Sequence, residues 1–148
     1  MSQIFSLAFT VTTPFWALMI FAPHWKWTKQ IIGSPWIVLA PLTIWAIPAL
    51  PHIGPLWRAV TGPSLQVLTD LVADPAAVTY LWTQIIAWDL FIGRWIYLDS
   101  RERNIHPLLM APILIFTILL SPLGFPLYLL LRPILTRHPQ SAESLQTA

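Results

Sequence analysis

Residues 74–99 read DPAAVTYLWTQIIAWDLFIGRWIYLD, and the fold turns on this stretch. It opens with Asp74-Pro75, a strong helix start: the carboxylate can cap the first free N–H groups, and proline suits the first helical turn. From there to about Leu98 the chain is mostly apolar. A helix of roughly 20 apolar residues crosses a hydrocarbon core about 30 Å thick, so a transmembrane helix is predicted over 75–98. Near its middle stands Asp89. A carboxylate at that depth costs about 2.5–3.5 kcal/mol on insertion scales, so it must face the protein interior and be paired or protonated. Such a group suits proton donation or acceptance; the plainer alternative is a hydrogen bond that only holds helices together. Arg132 and Tyr128, or Thr10, Thr12 and Thr13, are the partners considered for it.

The neighbours of Asp89 sharpen the picture. Gln84 and Arg94 lie five residues away on either side, about 140° around a helix, and so do not share its face. Arg94 either snorkels to the interface or reaches another helix. Gly93, one turn on, leaves room for a helix or a flat ligand. Trp88 and Phe91 would suit a long apolar ligand with a ring. An apolar cavity beside Gly93 and Asp89 is therefore expected.

Further spans follow on both sides. Residues 4–22 form a first span with Pro14 inside; with no charged n-region it reads as retained rather than as a cleaved signal peptide. Residues 35–50 form a short second span interrupted by Pro41 and Pro48, either kinked or re-entrant. Residues 64–73 place Leu65, Leu68, Leu71 and Val72 at helical spacing, as in an amphipathic interfacial helix or an ordinary connecting one. Residues 107–131 form a fourth span, with a bend expected at Ser121–Pro126. The predicted fold is all-α: a small polytopic bundle of about four transmembrane helices, Pro-kinked, forming one domain over 1–137, with a polar tail at 138–148 expected to be disordered.

Composition agrees. Of 148 residues 56% are hydrophobic and 9% charged, where soluble domains carry about a quarter charged. The net charge of +2 gives no argument for a nucleic acid partner. Membrane lipid and other membrane proteins are the surroundings such a surface expects. The absence of cysteine excludes thiolate metal sites and a Cys nucleophile. The histidines fit no metal-ligand spacing, and neither a phosphate loop nor a serine elbow is present; no metal or cofactor is expected. Lys26, Lys29, Arg101 and Arg103 against Arg58, Arg132 and Arg137 set the orientation only weakly.

The block Ala87-Trp88-Asp89-Leu90-Phe91-Ile92-Gly93-Arg94-Trp95-Ile96-Tyr97-Leu98-Asp99 resembles the abscisic-acid-deficient-four (neoxanthin-synthase-like) membrane family of oxygenic phototrophs. Pro14-Phe15-Trp16, His106-Pro107 and the run from Ser121-Pro122 through Tyr128 to Arg132 extend the likeness over residues 4–132. The resemblance implies carotenoid metabolism: plant members are needed to make neoxanthin from the epoxide violaxanthin. It implies an isomerase with Asp89, Asp99 and His106 as candidate catalytic groups, and Trp88, Phe91, Gly93, Arg94, Tyr128 and Arg132 as candidate substrate contacts. The chemistry would have an acid protonate the epoxide oxygen while a base takes a proton from the adjacent polyene carbon. Gln84 stands where plant members have His, and Ser121 where they have Gly. With no plastid transit sequence ahead of the first span, a bacterial relative is expected, in a thylakoid or plasma membrane. The competing readings are a non-catalytic pigment- or lipid-binding subunit that helps assemble a photosynthetic complex and, more weakly, a proton or ion conductor.

Overall fold

A computed structural model describes residues 1–136; the predicted polar tail lies outside the described residues. Every regular element among them is helical. Three helical segments are long and apolar enough to cross a membrane: 2–21, 35–61 and 75–102. The first is α1 (Ser2–Phe21). After it, α2 (Lys26–Gly33) is a short surface helix. The second segment comprises a 3₁₀ turn, α3 (Leu39–Ala49), a second 3₁₀ turn at Leu50–His52 and α4 (Ile53–Thr61). It therefore runs well past residue 50, where the proline cluster had placed its end. Pro51 falls in the tight turn and Pro55 in the first turn of α4, positions where a missing N–H leaves no helical acceptor unpaired. The amphipathic helix is α5 (Leu65–Val72), with Ser64 capping the Val67 N–H at 3.1 Å, Leu71 buried and Leu65, Leu68 and Val72 exposed.

The third segment, α6 (Pro75–Glu102), starts as its sequence requires. Asp74 Oδ1 accepts from the Ala76 N–H at 2.8 Å. Its buried threonine hydroxyls are satisfied locally: Thr79 donates to the Pro75 carbonyl and Thr83 to that of Thr79, each at 2.8 Å, as an apolar environment favours. Helices α1 and α6 run in the same direction. Phe5 stacks on Trp82 near their starts, and Trp16 covers Gly93 near their ends. A Cβ at Gly93 would collide with the Trp16 indole.

The fourth apolar stretch is two helices, α7 (Pro107–Leu119) and α8 (Ser121–Leu135), separated by the single non-helical residue Leu120. The chain reverses there. A Cβ on Gly124 would stand 2.7 Å from the Cα of Thr117, whereas residues seven apart along one straight helix are about 10 Å apart. Only glycine admits this approach. Helix α8 then returns to the end from which α7 departed, because Tyr128 and Arg132 both bond Asp99 near the end of α6. With 13 and 15 residues, each arm is about 20 Å long. The bend expected in a fourth span is thus a full turn one residue ahead of Ser121, and the stretch forms a hairpin packed on α6, with α7 also touching α1.

This geometry gathers the cations. Lys26, Lys29, Arg94, Arg101, Arg103 and Arg132 lie toward the end where α1 and α6 finish, here the basic end; Arg58 lies toward the opposite end.

Candidate functional site

Along α6, Val78, Trp82, Ile85, Asp89, Ile92, Ile96 and Ser100 recur every three or four residues and so form one stripe. Toward the opposite end Val78, Trp82 and Ile85 are 42%, 38% and 51% exposed; toward the basic end Ile96 and Ser100 are 0% and 1% exposed. The changeover falls at Asp89, which is partly buried. Its cause is the hairpin. Its arms cover the stripe from the basic end and stop where α7 turns into α8. Ser121, first residue of α8, lies beside the Asp89 carboxyl. Below the tip the stripe is exposed apolar surface, with Trp82 stacked on Phe5 of α1, and Asp89 stands at the boundary between its exposed and buried halves. Asp89 joins none of the ion pairs among the described residues.

The partners weighed for Asp89 belong elsewhere. Tyr128 Oη donates to Asp99 Oδ2 at 2.6 Å, Arg132 Nη2 to Oδ1 at 2.9 Å, and Arg103 Nε to Oδ2 at 3.0 Å. The Trp95 ring backs the cluster, edge-on to Phe125 and Tyr128 and beneath the Arg132 guanidinium at 5.8 Å. Thr12 and Thr13 both turn to the Phe9 carbonyl, and Thr10 to that of Ser6.

The sequence-derived site is therefore divided. Asp99 lies ten residues from Asp89, about 15 Å along the helix, and its oxygens are engaged. His106 caps α7 by accepting from the Leu108 N–H at 3.3 Å, at the far end of that helix from Ser121. Neither shares a reaction centre with Asp89. Arg94 reaches another element rather than the interface: Nε donates to the Ile32 carbonyl at 2.7 Å and Nη2 to that of Gly33 at 2.6 Å. It thereby satisfies the open carbonyl end of α2, where a cation is favoured. Gly93 offers no cavity, because Trp16 fills the space. Tyr128 and Arg132 hold Asp99.

An apolar groove of about 360 Å³ does flank α6, on the side facing α3. It is lined by Val38, Leu42, Trp45, Gln84, Trp88 and Phe91, with Ala87 at its floor. Trp88 and Phe91 line this groove, on a different face of α6 from Asp89 and away from the place near Gly93 where a cavity was expected. Ser121, beside Asp89, and Trp45, in the groove wall, were not among the candidate site residues. The break at Ser121-Pro122 was a signal for the first; nothing in the local sequence singled out the second.

The fold and site define a small helical membrane-type bundle in which a half-length hairpin ends against a carboxyl at mid-helix. The chain belongs to the ABA DEFICIENT 4-like family, whose model matches residues 3–128. It is 26% identical over 113 residues to Protein ABA DEFICIENT 4, chloroplastic, of Arabidopsis thaliana, a match taking in 71% of this chain and 50% of the relative. The chain spans about half the length of that curated relative. No solved structure matches it.

Proposed function

We propose that this protein acts within a membrane of an oxygenic phototroph, thylakoid or plasma membrane, on an epoxidised or related xanthophyll, and isomerises it by acid–base chemistry at Asp89. The observation that carries the reading is the exposure switch at Asp89. A carboxyl in no ion pair, held at mid-helix by the tip of a re-entrant hairpin and open to a bare aromatic and aliphatic stripe, is reachable by a lipid-dissolved substrate. Membership in the ABA DEFICIENT 4-like family supports the substrate class.

In the proposed step the Asp89 carboxyl gives its proton to the epoxide oxygen, whose bond to the ring carbon breaks. A base then takes one proton from the adjacent polyene carbon, and that electron pair forms the new double bond. No atom is gained or lost overall. Asp99 and His106 are too far away to be the base. The carboxylate just formed at Asp89 is the nearest one, so a single residue can close the proton cycle. General acid–base catalysis of this kind contributes about 10²–10⁴-fold.

The test is pigment analysis of a deletion strain complemented with wild type or Asp89→Asn. Loss of one carotenoid with build-up of its precursor, restored by wild type but not by an Asp89→Asn protein of normal abundance, is expected. Full restoration by Asp89→Asn would sink the catalytic role. It would favour the second reading, a pigment-binding assembly subunit, for which the α3–α6 groove is the supporting observation.

A further inference from the structure

Helix α2 breaks a rule of helix electrostatics. A helix favours anions near its start and cations near its end. Yet α2 opens on Lys26 and carries Lys29 one turn on, with no acidic residue in its first turn and no side-chain cap. The chain holds no acid at all before Asp70. Among the described residues the acids of the basic end are Asp99 and Glu102. Asp99 is engaged by Tyr128, Arg132 and Arg103, and no ion pair among the described residues includes Lys26, Lys29 or Glu102. The charge on α2 is therefore left to be balanced from outside.

The position of α2 says what can do so. Thr28 and Ile32 are buried, while Lys26, Lys29 and Gln30 are exposed. At 100° per residue those three share one face about 100° wide. Trp27 stands on its flank, with Lys26 Nζ 5.9 Å from the centre of the indole ring. Trp25, just ahead of the helix, and Trp36, just after it, are exposed as well. Indoles settle at the boundary between hydrocarbon and headgroups, so three of them around one short helix set its height in a bilayer. Arg94 grips the far end of α2 through the Ile32 and Gly33 carbonyls. The helix is thus held on the body of the protein with its lysines turned outward.

A free anion would meet the lysines and gain nothing from the indoles. A zwitterionic headgroup would bring its own cation against the ammonium groups. A lipid with a net negative headgroup answers both features. We propose that the exposed face of α2 binds an anionic phospholipid, whose phosphate is held between Lys26 and Lys29, neighbours on the helix surface by their spacing, with its glycerol and upper chains against Trp25 and Trp27. The site is separate from Asp89 and does not depend on the chemistry proposed there.

The experiment uses the full chain, purified in an uncharged detergent and carrying a fluorescent tag. It is titrated with short-chain phosphatidylglycerol and phosphatidylcholine, and binding is read by thermophoresis. Wild type should prefer phosphatidylglycerol. Lys26→Gln and Lys29→Gln should each weaken phosphatidylglycerol about fivefold, the effect of one cation near a charged headgroup layer, and leave phosphatidylcholine unchanged. High salt should weaken phosphatidylglycerol alone, because these charges are exposed and screened. Trp27→Ala should weaken both lipids. Arg58→Gln, at the opposite end, should bind as wild type does. Both lysines are exposed and in no ion pair among the described residues, so the variants should keep the wild-type melting temperature and size-exclusion profile. Equal binding of the two lipids by wild type overturns the proposal. So does unchanged phosphatidylglycerol binding in both lysine variants, or an equal loss in Arg58→Gln, which would make the effect one of net charge. Displacement of phosphatidylglycerol by inorganic phosphate at constant ionic strength overturns it too, since the site would then take a free anion.

Discussion

Helix α6 carries two carboxylates ten residues apart, and they live in opposite circumstances. Asp99 receives donors from Tyr128, Arg132 and Arg103 within 3.2 Å. Asp89, deeper in the helix, has the hydroxyl of Ser121 beside it. The first is a closed knot that fastens the end of α8 to α6. The second joins no ion pair among the described residues and sits where the α6 stripe changes from exposed to buried. A buried charge whose hydrogen bonds are filled belongs to the architecture; one left short of partners is available for chemistry.

The most decisive challenge to this contrast is all-or-none. It depends on the hairpin returning to the basic end, which puts residue 2 and residue 136 on opposite sides of a membrane after three crossings. The chain has no cysteine, so Ser2→Cys and Thr136→Cys can be labelled singly with a membrane-impermeant maleimide. They should react from opposite sides, with Thr136→Cys on the cytoplasmic or equivalent side, where the cations gather. Labelling from the same side would mean a fourth crossing and would dissolve the Asp99 knot.

Next in size come the carboxylates themselves. Asp89→Asn should lower product formation by about 10²-fold or more while leaving protein abundance unchanged. Asp99→Leu should do the reverse. It strands Arg132, Arg103 and the buried Tyr128 hydroxyl; leaving a buried donor unsatisfied costs about 1–3 kcal/mol. Immunoblot level and thermal stability of the purified protein should fall. Equal loss of abundance in both variants would erase the distinction.

A smaller effect is expected at the hairpin's close approach. Gly124→Ala pushes α8 off Thr117, an overpacking of about 1–3 kcal/mol, and should lower the melting temperature and product together because the tip carries Ser121. Thr117→Ala in the same chain should restore part of both. The smallest is Ser121→Gly. It removes the hydroxyl beside the Asp89 carboxyl and should reduce product no more than several-fold with no change in abundance.

The sequence was most legible where structure is local. Asp74-Pro75 marked the start of α6 to the residue, and apolar length placed α1. Reading the second span as short failed because its prolines were counted as a stop, while a 3₁₀ turn at Leu50–His52 absorbs Pro51 and lets the helix resume. The depth of Asp89 followed from counting residues. Its partner did not, because whether Tyr128 and Arg132 reach Asp89 or Asp99 depends on which way α8 runs. That direction is set by the backbone of Leu120 and by contact between Gly124 and Thr117, neither of which leaves a periodic trace. The sequence marked a bend near Ser121-Pro122 and could not give its angle. For Arg94 snorkelling weighed more than a partner, and at Gly93 a cavity was expected; the structure gives Arg94 the carbonyls of Ile32 and Gly33 and fills the space at Gly93 with Trp16, all residues distant in the chain.

The single-residue reversal at Leu120 also bears on how the molecule is made. Neither arm of the hairpin is long enough to cross a bilayer, and its tip, at mid-depth, would expose carbonyls to hydrocarbon if it inserted alone. If the three long segments cross a membrane, the surface of α6 and α1 that receives the hairpin should form first, with the hairpin docking afterwards and fastened by Asp99. A chain stalled before Pro107 should integrate fully, yet carry no roof over Asp89.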